Sequence, residues 1–332
     1  MTTEEILKNI ELNNLTKIHQ FFSKIDNPTK EKEIIQNTLK VAEEYLLKNK
    51  WTDNDKKHQY IQNIAYLCSL SPYHESTSKE YYDKYVHMLI DMEIPQLQIA
   101  EDSFFSFKTI NMYSIEDFIN NTITVSSPKT FNDPLDPPIT LAAKHKFENI
   151  EKQKDEYFFL NSLEKVRIKC FMPAKHPNNK KELKPYLNTL MWAHYANSHK
   201  GICIKYKLSS TLIKRDNKIT GLFASVEYPE VPFNIESENH FEFNECFLIK
   251  QAEWKYENEV RLIYFNADNS DNFQTLKLEG DNKIEAIYFG YRCSQTEKDT
   301  IKNILKNNSE IRFFQMKIDY KNIFQLKADE ET

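Results

Sequence analysis

Glycine is scarce, with only four in 332 residues. The phosphate-binding loops GxGxxG and GxxxxGK[ST] need several glycines at fixed spacing, and neither occurs, which argues against a Rossmann or P-loop nucleotide site. The five cysteines (Cys68, Cys170, Cys203, Cys246 and Cys293) are widely spaced, odd in number and never form CxxC. That usage fits neither a zinc ribbon nor a disulfide framework and predicts free, mostly buried thiols in a reducing cytoplasm. No apolar run reaches the length needed to span a bilayer, so no membrane partner is expected. The opening MTTEEILKNIELNN is polar and acidic, unlike a signal peptide. The net charge of −5 is mild and gives no reason to expect a general nucleic-acid binder.

What the chain does have is core material. Hydrophobic residues make up 40% and aromatics 13%, with 28% charged, as in a globular protein. The texture changes near residue 100. Before it, LTKIHQFFSKI, KEIIQNTLKVAEEYLLKNKW, HQYIQNIAYLCSL and SKEYYDKYVHMLIDM place apolar residues at helical spacing, including a stripe of Ile34, Ile35, Leu39, Val41, Ala42, Tyr45 and Leu46. These predict a helical array over 1–98, either a cap with no recognition role or a module that senses a protein partner or a ligand. After it come strand-like stretches: SFFSFKTI, TITVSS, KVRIKCFM, GICIKYKL, FASVEYPEV, EVRLIYF, TLKLEG, IEAIYFG and IRFFQMKID, the last expected to close the sheet. Helices are expected at SIEDFINN, with Ser114 as N-cap, at YLNTLMWAHYANSH and at TEKDTIKNILKN. No regular βαβ alternation is present. The expected class is α+β, a helical array followed by a mixed, largely antiparallel sheet domain over 99–332 with inserted helices.

Three stretches concentrate chemistry. In SPKTFNDPLD, Asn132, Asp133 and Pro134 favour a tight turn. It is either a rigid structural turn or a loop that aims Asp133 or Asp136 into a cleft. In MWAHYANSHKGICIKY, His194 and His199 are five apart, so they do not project together as a zinc pair would. Lys200 suits a helix C-terminus, and Gly201 suits the left-handed residue that ends the helix. Trp192, His194 and Tyr195 bring polar-tipped rings together, as a planar ligand requires. For His194 alone, a satisfied core or interface histidine is the competing reading. In KQAEWKYENEVRLIYF, a strand over 256–265 would set Glu257, Glu259, Arg261 and Ile263 on one face. Arg261 could then orient a carboxylate, or the row could be a solvated ladder.

Together these stretches resemble a bacterial family, domain of unknown function twenty-nine-seventy-one. Ser127, Pro128, Phe131, Asn132, Asp133, Pro134 and Asp136 match its first motif. Cys170, Phe171, Met191, Trp192, Tyr195, His199, Gly201 and Cys203 match the middle of the pattern, and Lys250, Trp254, Glu257, Glu259 and Arg261 its last motif. Leu135 stands where an aromatic is usual, and Lys108 where the first strand often has arginine. The order of strand, helix, strand, cleft helix and late Glu-x-Glu strand also resembles the ADP-ribosyltransferase fold.

That second resemblance implies an NAD-consuming effector, a transferase or NAD glycohydrolase of the toxin or phage-defence kind. Glu259 would be the catalytic carboxylate, Glu257 would position or deprotonate the acceptor, and Tyr195 and Trp192 would stack nicotinamide. Arg261 or Lys108 would pair the pyrophosphate, with Asn132, Asp133, His194 and His199 also lining the site. NAD is the implied substrate, a macromolecule or water the acceptor, and no metal is implied. One alternative is a metal-dependent hydrolase or nuclease built on Asp133, Asp136, His194 and Glu257. Another is a module that binds a nucleotide or protein without turnover.

Overall fold

In the computed structural model the described residues are 2–12, 14–22, 24–25, 28–52, 56–57, 60–61, 63–64, 102–138, 166–176, 180–215, 218–219, 221–230, 247–264, 272–322 and 324–331. The chain divides into two compact units, Met1–Pro95 with Leu141–Leu163, and Gln96–Thr140 with Glu164–Thr332.

The first unit holds α1 (Thr3–Glu11), α2 (Leu15–Phe22) and α3 (Pro28–Lys48). Thr2 and Glu5 cap α1 reciprocally, which satisfies two of its orphan N–H groups. Ile35, Leu39, Ala42 and Leu46 turn the stripe of α3 into the core beside Ile6, Ile10 and Phe22. Val41 and Tyr45, expected in the same stripe, are exposed. The helix expected over SKEYYDKYVHMLIDM, and most of that over HQYIQNIAYLCSL, lie outside the described residues, as do Cys68 and Cys246.

The second unit is built on a ten-stranded sheet, so the chain is α+β. Its strands are β1 (Asp102–Lys108), β2 (Thr122–Ser126), β3 (Arg167–Pro173), β4 (Ile202–Leu208), β7 (Gly221–Ser225), β8 (Val260–Tyr264), β9 (Phe273–Lys277), β10 (Lys283–Phe289), β11 (Arg312–Ile318) and β12 (Leu326–Glu331). The short β5 (Lys214–Arg215) and β6 (Lys218–Ile219) pair separately. The main order is β12-β11-β10-β4-β1-β3-β2-β9, and β8 joins β3 to β7. β10 and β11 run parallel; the other pairings among the described strands are antiparallel. The sheet does not close at β11. Leu326–Glu331, too charged to read as a strand, pairs along its whole length with β11.

Alternation along β1 separates two cores. Phe104 joins Phe118 of α4 (Met112–Asn120) and Ile301 and Leu305 of α6 (Gln295–Leu305). Phe105 and Phe107 join Met191 and Trp192 of α5 (Thr189–Tyr195) on the other face. Each large side chain removed from water contributes roughly 1.5–3 kcal/mol. Three local expectations change. The N-cap of α4 is Asn111, with Ser114 answering it three residues on. The expected long helix over YLNTLMWAHYANSH is a 3-10 turn at Pro185–Leu187 followed by seven-residue α5. Gly201 is not the left-handed residue after α5; Asn197, Ser198 and His199 are, with φ of 47°, 53° and 69°.

Candidate active site

The α5 face carries a buried ionic network assembled from three loops and one strand. Asp136 ends the FNDPLD turn, Lys250 precedes a 3-10 turn at Ala252–Glu257, and Glu259 and Arg261 follow it. Glu257 is the last residue of that 3-10 turn rather than part of a strand, and β8 begins only at Val260. Asn258 between them is left-handed, with φ of 42°. The expected single strand face is therefore absent. With the left-handed residue Asn258 between them, Glu257 and Glu259 instead meet at one amine, that of Lys250.

Arg261 is fully buried, and each of its three guanidinium nitrogens donates a hydrogen bond. Its Nε donates to Glu259 Oε1 at 2.7 Å, Nη1 to the Phe247 carbonyl at 2.7 Å, and Nη2 to both oxygens of Asp136 at 2.6 and 2.7 Å. Lys250 Nζ reaches Glu257 Oε2 at 2.6 Å, Glu259 Oε2 at 3.2 Å and Asp136 Oδ2 at 3.3 Å. The Tyr195 hydroxyl donates to Glu257 Oε1 at 2.6 Å. The Glu259 N–H donates to the Tyr228 hydroxyl at 2.9 Å. Three carboxylates thus share two cations.

The groups respond differently. Burial pushes Glu259 upward, but Arg261 and Lys250 outweigh it and hold the carboxyl at about 2. Burial dominates at Asp136 and at Glu257, and both sit above the usual carboxylate range. Burial would lower Lys250 and Arg261, yet the surrounding carboxylates keep both above their ordinary values. Burial, then Glu257, raises Tyr195, so its hydroxyl stays a donor. An ionised, fully bonded Glu259 sits beside a more basic Glu257, and environments that push two carboxyls apart divide roles between them.

Rings surround the Glu257 end. His194 is exposed and lies 5.9 Å from Trp254, 6.3 Å from Tyr256 and 6.2 Å from Tyr195. Lys250 Nζ lies 5.0 Å from the Trp254 ring centre. Asn188 fastens the two walls together. Its side chain caps α5 at Leu190 and Met191 and donates to the Tyr256 carbonyl at 3.0 Å.

Of the residues expected in the site, Glu257, Glu259, Arg261, Tyr195 and His194 meet here. Trp192 does not offer a face to a ligand in this arrangement. It is fully buried, edge-on to Phe107, and its Nε1 donates to the Tyr186 carbonyl at 2.7 Å. His199 stacks over Trp192 at 6.4 Å, with burial and then Arg292 lowering its pKa. Lys108 pairs with Asp117 at 2.6 Å, and Asp117 belongs to α4, on the opposite face of the sheet. Its neighbour Lys169 is pushed down to about 7 by burial and then by Lys108. Asn132 is exposed, and Asp133 accepts from the Leu135 N–H at 2.9 Å, holding its own turn. Of the four residues of the metal-dependent alternative, Asp136 and Glu257 meet at Lys250, while Asp133 holds its own turn. Asp136 is committed to Arg261 and Lys250, and among the described residues no three His, Cys, Asp or Glu side chains are grouped to hold an ion.

Lys250, Trp254 and Tyr228 are the members that sequence reasoning left out of the site, whereas Asp136 was expected to face a cleft only as one of two readings of its loop. Lys250 and Trp254 stand in the motifs quoted above, but nothing in the sequence marks Tyr228.

Residues 191–262 match the model of a family described as a protein of unknown function, DUF2971. This stretch runs from α5 through Arg261, so it supports the resemblance drawn from the motifs. No curated protein and no solved structure matches the chain. Among the described residues, no helix is long and apolar enough to cross a membrane.

Proposed function

We propose that the chain cleaves the nicotinamide–ribose bond of NAD, as an ADP-ribosyltransferase or NAD glycohydrolase, with Glu257 as the reacting carboxylate. The observation that supports this most is the setting of Glu257. It is a buried carboxylate held by Tyr195 and Lys250 beside the rings of His194, Trp254 and Tyr256.

Ionised Glu257 would face the positive charge that develops at the ribose C1′ as the C1′–N bond breaks. Nicotinamide leaves with the bonding electron pair, stacked on Trp254 or Tyr256. The acceptor oxygen, from water or a macromolecule, then bonds C1′ and passes its proton to Glu257, whose raised pKa suits a base. In this reading Glu259 and Arg261 do not touch substrate. They hold Lys250 and Asp136, and so fix Glu257. The catalytic role that the resemblance assigned to Glu259 moves two residues along the chain.

The test is nicotinamide release by the purified protein. Glu257→Gln should reduce it by about 100-fold or more, and Trp254→Ala should chiefly raise KM. Below the raised pKa of Glu257 the rate should fall with pH. No release from NAD, with or without cell lysate as acceptor, overturns the reading; NAD affinity without release would mark a binding module instead.

A further inference from the structure

A cavity of about 420 Å³ opens on the same unit away from Glu257, between β1, β4, β10 and the hairpin that follows β3. Its wall contains Lys175, Lys184, Lys205 and Lys207, against the carboxylates of Asp102 and Glu182. With Glu285, which pairs with Lys205, the balance is four ammonium groups to three carboxylates, a small positive excess on a chain of net charge −5. Lys175 and Lys184 are exposed at the ends of the hairpin, whose arms bridge at Lys175 and Glu182. Lys205 is held in place by Glu285 at 2.8 Å, which also accepts from Ser103 at 3.0 Å.

Phe105, Tyr186 and Tyr288 bring aromatic rings to the wall, beside Ser103, Ala174 and Leu183. Tyr186 stacks on Tyr288 with ring centres 4.6 Å apart and planes 9° from parallel, and Tyr288 stacks on Phe314 at 4.7 Å. Phe105 leans on both tyrosines, at 5.9 and 6.0 Å. Tyr288 is buried in the stack, and Tyr186, half-buried, is the ring that the stack offers to the cavity.

We infer that this cavity binds a nucleoside diphosphate, with the lysines on the phosphates and the ring of the base against the tyrosine wall. Lysine ammonium groups bind phosphate as point charges. The volume lies within the roughly 300–1,000 Å³ range of small-ligand sites. It suits one nucleotide rather than a strand, and the negative chain as a whole would repel a long polyanion. The site has a physical link to α5. Tyr186, in the cavity wall, accepts the indole N–H of Trp192, three residues before Tyr195. The inference does not rest on the NAD reading.

Calorimetric titration of the whole chain with ADP tests it. ADP should bind, inorganic pyrophosphate at least about tenfold more weakly, that factor being roughly 1.4 kcal/mol for the ring. Lys175→Glu with Lys184→Glu should weaken ADP about tenfold or more, with an unchanged melt and unchanged nicotinamide release. If that double variant misfolds, Lys175→Gln and Lys184→Gln singly should each weaken binding. The proposal is overturned by no ADP binding at millimolar ligand, by pyrophosphate binding as tightly as ADP, or by lysine variants that bind normally. It is also overturned if Trp254→Ala abolishes ADP binding while the lysine variants keep it, since the ligand would then occupy the Glu257 site. Nicotinamide release is read separately, so failure of the NAD reading leaves this result standing.

Discussion

Arg261 illustrates why a buried charge must be judged by its partners. It has no contact with solvent, and it pairs with Asp136 and Glu259 at once. Arg261→Met would strand two carboxylates in a dry interior, and breaking such a pair costs about 3–5 kcal/mol. Urea denaturation should report a loss of that size. Glu259 makes a pH prediction. Its folded pKa of about 2 lies below its ordinary 4.5, so its ionised form stabilises the fold above pH 4.5. That contribution disappears as pH falls through 2. Asp136 and Glu257 are shifted upward and run the other way, since protonating them favours the folded chain. Thermal melts between pH 2 and 5 should therefore show a steeper acid loss for the native chain than for Glu259→Gln. Glu257, Glu259 and Arg261 were legible as candidates from EWKYENEVR alone. Their division of labour was not, because it depends on Asp136, which lies 125 residues away in sequence from Arg261.

At the scale of elements, the stretch from α5 into β4 is the informative one. The stop–turn–strand reading of SHKGICIKY holds, but the residues exchange roles. Three successive non-glycine residues adopt positive φ, a conformation that costs an L-residue roughly 1–2 kcal/mol. Gly201 is needed for a different reason: a Cβ there would run into the Lys108 carbonyl and crowd the Ala196 backbone. Ser198→Gly is therefore expected to stabilise by about 0.5 kcal/mol, the relief of strain less the entropy of glycine. Gly201→Ala is expected to destabilise by about 1–3 kcal/mol, as overpacking does. Paired melting curves of the two variants check both signs. The exchange was hidden because glycine scarcity makes any single glycine look like a helix stop, whereas close backbone approach involves Lys108, ninety-three positions earlier.

At the scale of the molecule, the sheet orders the chemistry by putting Lys108 and Asp117 on one face and the Glu257 network on the other. Its edge is β12, which covers β11 through a full antiparallel ladder and lends Glu331 to Lys298 and Lys302. Removal of residues 326–332 should expose β11 as a new edge and lose the burial of Leu326. A fall in stability of at least about 2 kcal/mol is expected, with self-association visible by gel filtration, since open edges pair with other chains.

The sequence by itself determined the α+β class, most strand positions and the identity of the charged and aromatic residues that meet around Glu257. It could do so because alternation, turn chemistry and capping act over a few residues and leave a local pattern. Only the tertiary structure decided that Trp192 belongs to the core, that Lys108 faces away from the network, and that Glu259 is locked while Glu257 lies beside the rings. Those outcomes depend on burial and on ion pairs between distant segments, and such energies exist only once the chain has brought the segments together.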